Sequence, residues 1–282
     1  MAESTWYLGP LGYLRPLRVP NKDGQDNQVR YGATHTGLFG GKTVDFLGQR
    51  SEIRLDFDFL LPEELEFLRA LNSRHLPGPL ALLRPGFRNR LSEQASSLWR
   101  CYTAQEGPGI YFNGMGRTME FDFPPGLLGV QSYRVPTFST TAYLHFDGWM
   151  MTPLKTPGEQ LTGSIYLKAQ NAGQSVNLLF EWFDRVGEYV STTTTTIPNL
   201  ATTWTRYSHT ASAPAGAARA RFRMSFNNVV SVFNLAAPQV EEGPVATTWQ
   251  LGGGSAFVSV DSLATTLPQY PYSNGSLSLL EI

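Results

Sequence analysis

The chain has little cysteine, little net charge and no long apolar segment. Its 282 residues contain one cysteine, Cys101, which excludes an intrachain disulfide and a thiolate metal cluster. Lysine and arginine number 22 against 23 aspartate and glutamate residues, so the basic field used in nonspecific nucleic-acid binding is missing. No segment approaches the roughly 20 apolar residues that span a bilayer, and the first residues do not resemble a secretory signal. We therefore predict no nucleic-acid partner and no membrane insertion.

Motifs of catalysis and cofactor binding are also missing. The segment Gly41-Lys42-Thr43 departs from a phosphate-binding loop, because Thr36 stands where such a loop requires its first glycine. The histidines are scattered, the closest acidic neighbour being Asp147 beside His145, and there is no G-x-S-x-G motif. Five carboxylates near the predicted strands fit turns and solvated faces better than a glycosidase acid pair: Glu181, Asp184, Glu188, Glu241 and Glu242. We predict no enzymatic activity, no cofactor and no metal site.

Alternation of apolar and polar residues is the strongest structural signal. Between Ala217 and Phe226, alanine, phenylalanine or methionine alternates with arginine or serine, which predicts a strand with one buried face. Arg50–Leu60 has the same period of two, and Thr192–Thr196 is a β-branched run that suits a pleated strand. Other predicted strands are Leu80–Leu83, Leu161–Ala169, Ser175–Phe183, Glu188–Thr196, Thr203–Thr210 and Val229–Ala236. The chain is therefore predicted to be mainly β.

One helix is predicted, at about residues 62–74. Pro62 suits a first helical turn, acidic residues follow it, and leucines recur on one side. The three glycines at 252–254 form a joint, and the two apolar segments beyond them are too short to bury a core alone. We predict a β-sandwich or barrel-like domain made of residues 1–92 and completed by C-terminal strands in 253–282, with an inserted antiparallel jelly-roll sandwich at 93–252.

Aromatic and basic side chains beside the predicted strands are the candidate binding residues. A sugar ring stacks its apolar C–H face on an aromatic ring, so Trp149 and Trp182 are candidates for a glycan site, although buried core positions are an alternative. Arg219, Arg221 and Arg223 form a basic stripe on one strand. That stripe either is solvated or contacts an acidic protein or anionic polymer.

A series of short motifs runs through the predicted insertion. They are Gly163–Ala169, Trp182-Phe183-Asp184, Gly187, Thr203–Tyr207, Ala213–Ala217, Pro238–Pro244 and Thr247–Trp249. Together, over most of residues 96–250, they resemble the carbohydrate-binding-module 4/9-like jelly roll. The resemblance implies a domain that binds glycan without catalysis. Many members of that family place an aspartate where this chain has Asn234, a departure that argues against a structural calcium ion.

The flanking residues carry a second set of motifs. They are Gly32, His35–Gly41, Thr43–Asp45, the strand and helix up to Leu71, Pro79–Pro85, Asn89–Leu91, Val258–Leu263 and Ser276–Ile282. These resemble minor tail proteins of long-tailed bacteriophages, of the distal-tail type. The resemblance implies a homo-oligomeric ring at the tail tip, contacts with other phage tail proteins, a virion location after assembly in the host cytoplasm, and a jelly roll that contacts host cell-surface carbohydrate. The alternatives are a glycan-binding adhesin module and a non-catalytic part of a glycoside hydrolase.

Overall fold

A computed structural model of the chain shows strands in most of its length. It describes residues 5–21, 24–37, 39–45, 48–76, 78–98, 109–127, 130–136, 141–148, 151–226 and 232–282. Within these ranges there are 20 strands and two helices, which confirms the prediction of a mainly β chain. Among the helices so described, neither is long and apolar enough to cross a membrane. Cys101 lies outside the described residues.

The elements follow the sequence pattern closely. Those before residue 100 are β1 (Tyr7–Pro10), β2 (Arg15–Pro16), β3 (Gln25–Tyr31), β4 (Thr34–Thr36), β5 (Lys42–Val44), β6 (Gly48–Leu60), α1 (Pro62–Asn72), β7 (Leu80–Leu83) and α2 (Glu93–Ser97). Those after it are β8 (Ile110–Asn113), β9 (Thr118–Glu120), β10 (Ser132–Val135), β11 (Tyr143–Phe146), β12 (Thr152–Pro153), β13 (Gln160–Ala169), β14 (Val176–Phe183), β15 (Tyr189–Ile197), β16 (Thr205–Ser212), β17 (Arg219–Ser225), β18 (Phe233–Glu242), β19 (Ser255–Gln269) and β20 (Tyr272–Glu281).

The chain divides into two compact units, each built from separated segments. The helix unit comprises Leu8–Pro10, Pro16–Leu82 and Phe257–Ile282, and the sandwich unit comprises Leu83–Ala256 with Leu11–Arg15 and the segment ending at Tyr7. The predicted domain boundary at residue 92 therefore differs from the observed one, which lies between Leu82 and Leu83. Residues 84–92 belong to the sandwich unit because their backbone is bonded there: the Arg84 and Arg90 amides donate to the Gly254 and Val240 carbonyls.

The helix unit is a seven-stranded sheet with strand order β2-β1-β7-β19-β20-β6-β3, and β4 and β5 form a separate pair. The last strand, β20, pairs antiparallel with β6, placing Leu277 opposite Leu55 and Leu279 opposite Ile53. Helix α1 buries Leu65, Phe67, Leu68 and Leu71. The predicted helix and the completion of this sheet by C-terminal strands are thus confirmed.

The sandwich unit consists of two antiparallel sheets with a core between them. The five-stranded sheet has the order β16-β13-β18-β10-β9. The six-stranded sheet has the order β15-β14-β17-β11-β8, and its sixth strand, β12, pairs with β17. The largest buried side chains of this core are Phe146, Phe180, Trp182, Phe222 and Phe233. Strand β17 alternates as predicted, since Ala220, Phe222 and Met224 are buried and its arginines face outward.

Two details of the sandwich unit were not evident in the sequence. The short helix α2 begins after Ser92, whose Oγ accepts a hydrogen bond from the Ala95 amide at 3.0 Å. It is too short to show helical periodicity. The threonine run lies in β15, and the Thr193 and Thr195 hydroxyls contact the two ring nitrogens of buried His209 at 3.1 and 2.8 Å. Polar residues on the inner side of β15 are therefore hydrogen-bonded.

Candidate ligand-binding face of the six-stranded sheet

The outer face of the five-stranded sheet is covered by the chain itself, and we call it the covered face. The residues that pack over its own Tyr166, Ala236 and Ala237 are Leu127, Val130, Trp204 and Trp249. Asp122 accepts hydrogen bonds from Lys168 Nζ at 2.7 Å and Trp204 Nε1 at 3.0 Å. The bond from Lys168 is the main cause that lowers the pKa of Asp122. This side of the sandwich is closed by its own loops.

The outer face of the six-stranded sheet carries a different set of residues. Because side chains alternate along each strand, one residue in two from β8, β11, β17 and β14 points outward. The register places His145 opposite both Tyr111 and Arg223, and Glu181 opposite Arg221. Tyr143 lies one outward position from His145 on β11. We call this set the aromatic–arginine face: Tyr111, Tyr143, Glu181, His145, Arg221 and Arg223.

Three rings lie side by side on the aromatic–arginine face. The His145 ring centroid is 5.0 Å from that of Tyr111 and 6.1 Å from that of Tyr143, which is nearly parallel to it at 19°. The two tyrosines are half-buried. The Arg223 guanidinium lies 3.8 Å from the Tyr143 ring centroid, a close cation–π contact, and Asn113 Nδ2 donates to Tyr143 Oη at 3.1 Å. The tyrosines are thus held in place by neighbouring side chains.

The charges of this face do not balance. Glu181, a buried carboxylate, accepts from Arg221 Nε at 2.7 Å and also from Arg223 Nη1. One carboxylate therefore serves two half-buried guanidinium groups. Arg223 Nε and His145 Nδ1 are buried and have no hydrogen-bond partner among the described residues. Over the described residues, the face thus has a surplus positive charge and two buried nitrogens without a partner.

His145 and Asp147 are the titratable groups whose pKa values change most here. Burial, together with Arg221 and Arg223, lowers the pKa of His145 to about 3, so its ring is neutral at pH 7. Burial raises the pKa of Asp147 to about 6. The Asp147 carboxylate accepts from Ser92 Oγ, the Ser92 amide and the Gly109 amide at 2.5, 2.7 and 3.0 Å. Asp147 therefore anchors the end of β11.

Of the two tryptophans predicted to bind glycan, the structure contradicts one and does not describe the other. Trp182 has an exposed fraction of 0% and donates from Nε1 to Thr193 Oγ1 at 3.1 Å, so its prediction as a surface stacking residue is wrong. It lies on the core side of β14, between the outward-facing Glu181 and Phe183. Trp149 lies outside the described residues and stays a prediction.

The basic stripe of Arg219, Arg221 and Arg223 faces outward, but it is not freely solvated. Arg219 Nε donates to the Asp184 carbonyl at 3.3 Å, and the other two arginines pair with Glu181. All three are half-buried. Their role as a contact for a protein or an anion stays a prediction.

The carboxylates considered for an acid pair are engaged in structural contacts. Asp184 Oδ1 accepts from the Val186, Gly187 and Glu188 amides, which closes a turn. Glu241 holds the Thr247 amide and hydroxyl at 2.8 and 2.6 Å. Glu242 accepts from Arg90 at 2.9 Å and Lys155 at 2.5 Å, beside a groove of about 390 Å³. Within the described ranges, no group of three or more His, Cys, Asp and Glu side chains is arranged to hold a metal ion.

Sequence reasoning missed the cluster of Tyr111, Tyr143 and His145. The alternating residues of Tyr143–Phe146 and Ile110–Asn113 contain the signal, because each segment places an aromatic ring at outward positions. The pairing of β8 with β11, however, brings together residues more than thirty positions apart. No local pattern encodes that register.

Comparisons with known proteins find only remote structural similarity. No protein-family model matches the chain, and no curated protein matches its sequence. The enzymatically active domain of tailspike protein 4 from bacteriophage CBA120 is 16% identical with a TM-score of 0.41, covering 55% of this chain and 21% of that chain. A CBM4 structure is 12% identical with a TM-score of 0.37, covering 53% of this chain and 98% of that chain.

A third similar structure is the CBM22-1 xylan-binding domain from Paenibacillus barcinonensis Xyn10C. It is 14% identical with a TM-score of 0.38, and the match covers 50% of this chain and 92% of that chain. This chain thus spans about a fifth of the tailspike structure and nearly all of each binding module. Similarities of this size carry no argument about function.

Proposed function

We propose that the sandwich unit is a non-catalytic glycan-binding module and that the aromatic–arginine face is its site. The observation that carries the proposal is the pair of half-buried rings, Tyr111 and Tyr143, on the outer face of a sheet, with the buried ring of His145 between them. Sugar rings present apolar C–H faces that pack on aromatic rings, and their hydroxyls need the polar groups that border such rings. Asn113 and Arg223, which are both partly exposed, supply those groups.

We propose no catalytic role for this face, because its carboxylate, Glu181, is paired with two arginines. Glycoside hydrolysis requires two carboxyl groups, one of which donates a proton. Glu181 is the carboxylate that the described strands of this face provide, and two arginines hold it as an ion pair. Both oxygens of the Glu181 carboxylate are engaged by these arginines. The face is therefore suited to binding.

Glycan binding is tested with Tyr143→Ala. An immobilised glycan array followed by calorimetry on the strongest hit should show a loss of affinity of about tenfold or more, the effect of removing one stacking ring. The matched control is Phe121→Ala, which removes an aromatic ring that is 85% exposed in the segment between β9 and β10. This segment carries Asp122 and is called the loop of the covered face. Binding by the wild type that Tyr143→Ala leaves unchanged, or that Phe121→Ala abolishes, contradicts the proposed site. Failure of the wild type to bind any glycan contradicts the function.

A second function is assigned to the helix unit, namely assembly of copies into a ring at a phage tail tip, which would place the protein in the virion. The observation that favours it is the apolar tip of the β19–β20 hairpin. Leu267 and Tyr270 are 74% and 93% exposed, and Phe59 packs edge-on against Tyr272 at 6.1 Å. Exposed apolar groups of this kind mark surfaces that bind proteins. Ring formation and contacts with other tail proteins rest on this tip and on the resemblance of the flanking residues.

Assembly is tested by native mass spectrometry of the wild type and of Tyr270→Lys. A closed homo-oligomer that dissociates in the variant supports the ring. Val186→Lys is the matched control, because Val186 is 72% exposed in the sandwich unit. A wild type that remains monomeric at every concentration contradicts ring assembly and leaves the alternatives of an adhesin module or a glycoside hydrolase component.

A further inference from the structure

On the aromatic–arginine face, arginines outnumber carboxylates among the described residues. Glu181 compensates one positive charge, whereas Arg221 and Arg223 carry two. Arg219, the next outward residue on the strand, contacts the Asp184 carbonyl and does not use Glu181. In a half-buried site, where water screens charges weakly, an uncompensated guanidinium favours an anion. One negative group would complete this face.

The exposed part of the Arg223 guanidinium indicates where that group would bind. Its Nη1 is used by Glu181, and its Nε is buried without a partner in the described part of the chain. The Arg223 side chain is 25% exposed, so part of it is accessible to an anion, which a guanidinium binds through charge-assisted hydrogen bonds. The half-buried rings of Tyr111 and Tyr143 flank the buried His145 ring, and the guanidinium lies over the Tyr143 ring. Aromatic surface and a partly exposed cation thus meet at one place.

We propose that this face selects acidic saccharides, with the carboxylate of a sugar acid at the exposed part of the Arg223 guanidinium and the sugar ring against Tyr111 and Tyr143. The inference rests on the proposed glycan-binding function and narrows it to one class of ligand. The rings argue for a saccharide over an acidic peptide, because a pyranose presents a flat apolar face to them. The net charge of −1 for the whole chain offers no broad attraction for nucleic acid.

The experiment compares acidic glycans with neutral counterparts of the same shape. Calorimetry on the full chain would use trigalacturonic acid against its methyl ester, and sialyllactose against lactose. The wild type should bind at least one acid about tenfold or more tightly than its neutral counterpart, with a preference that weakens at high salt. Arg223→Met, which keeps the aliphatic stem, should remove the preference, while Arg219→Met should retain it.

A second variant protects the test against misfolding. Glu181→Gln keeps the side-chain shape and removes the competing carboxylate, so affinity for the acid should increase while affinity for the neutral counterpart stays constant. A gain of this kind cannot come from an unfolded protein. Equal binding of acids and neutral counterparts by the wild type overturns the inference and leaves the glycan-binding function intact. Binding to neither, together with a blank neutral array, overturns both.

Discussion

The two outer faces of the sandwich unit differ in what completes them. The covered face is closed by Leu127, Val130 and Trp249, and Asp122 there balances Lys168. Among its described residues, the aromatic–arginine face has one carboxylate for two arginines, and its two tyrosine rings are half-buried around the buried His145. Both faces contain buried nitrogens without partners among the described residues, Arg206 Nε and Trp249 Nε1 on the first, so such atoms alone do not distinguish them. Charge balance among the described residues, together with the half-buried tyrosine rings, distinguishes the proposed binding face from the structural face.

The comparison predicts that substitutions on the covered face reduce stability, whereas outward substitutions on the other face reduce binding. Anchors that hold the strands of either face are a third class, because they affect stability and, through it, the geometry of the site. Ranking these classes by the change in free energy of unfolding is a direct test of the comparison.

The largest effect is expected for Asp147→Ala, at the end of β11. The substitution leaves three donors without their acceptor, namely the Ser92 amide, the Ser92 hydroxyl and the Gly109 amide. The free energy of unfolding should decrease by about 4 kcal/mol, because buried donors lose both water and partner. Chemical denaturation measures it. Ser92→Ala, which removes one of those donors and the helix cap, should cost about 1 kcal/mol; equal losses in the two variants would contradict the anchoring role.

A slightly smaller loss is expected for Trp204→Ala on the covered face. Trp204 packs in the cluster over the sheet and donates to Asp122, so its removal creates a cavity and leaves Asp122 with Lys168 alone. Denaturation should show a loss of about 3 kcal/mol. Glycan affinity measured below the unfolding transition should not change. A variant that stays fully stable but no longer binds would reverse the assignment of the two faces.

The contribution of His145 to the pH dependence of stability is an effect of intermediate size per pH unit. Arg221 and Arg223 face the His145 ring, with Tyr111 and Tyr143 beside it, and its pKa is about 3 in the folded chain against an ordinary 6.5. The unfolded chain binds a proton that the folded chain refuses, so stability falls as the pH decreases from 6.5 toward 3. Within that range the loss from this group should be about 1.4 kcal/mol per pH unit.

Protonation of Asp147 changes stability in the opposite direction. A variant is therefore needed to separate the contributions of the two groups. Its pKa is raised to about 6 from an ordinary 3.8, so the folded chain binds this proton first and gains stability as the pH decreases from 6 to 3.8. Subtracting the denaturation profile of His145→Gln from that of the wild type isolates the histidine contribution. A difference that stays constant between pH 7 and 4 would show that His145 is not desolvated.

The smallest effect is expected for Phe121→Ala. The Phe121 ring is 85% exposed, although it lies 6.5 Å from the Phe123 ring on the loop of the covered face. Removing an exposed ring should change the free energy of unfolding by less than about 0.5 kcal/mol. Thermal unfolding measures this, and a loss comparable with that of Trp204→Ala would show that the whole loop, and not only its inner side, closes this face.

Much of the fold could be predicted from the sequence, because alternation and capping are local properties. The pattern of Arg50–Leu60 predicted β6, and Pro62 with its acidic neighbours predicted the start of α1. The orientation of Trp182 could not be predicted in this way. Strand β14 is buried on both of its sides, so its residues show no alternation that would assign Trp182 to the core.

The candidate site, like the fold, could be predicted from the sequence only in part. The sequence by itself determined that Arg219, Arg221 and Arg223 share one side of a strand, since the spacing of two is a property of any extended chain. Only the tertiary structure decided that Glu181 lies opposite Arg221, that Tyr111 and Tyr143 flank His145, and that segment 84–92 belongs to the sandwich unit. Strand register and the choice of sheet partner depend on contacts between distant segments, and those contacts are chosen by the burial of the whole core.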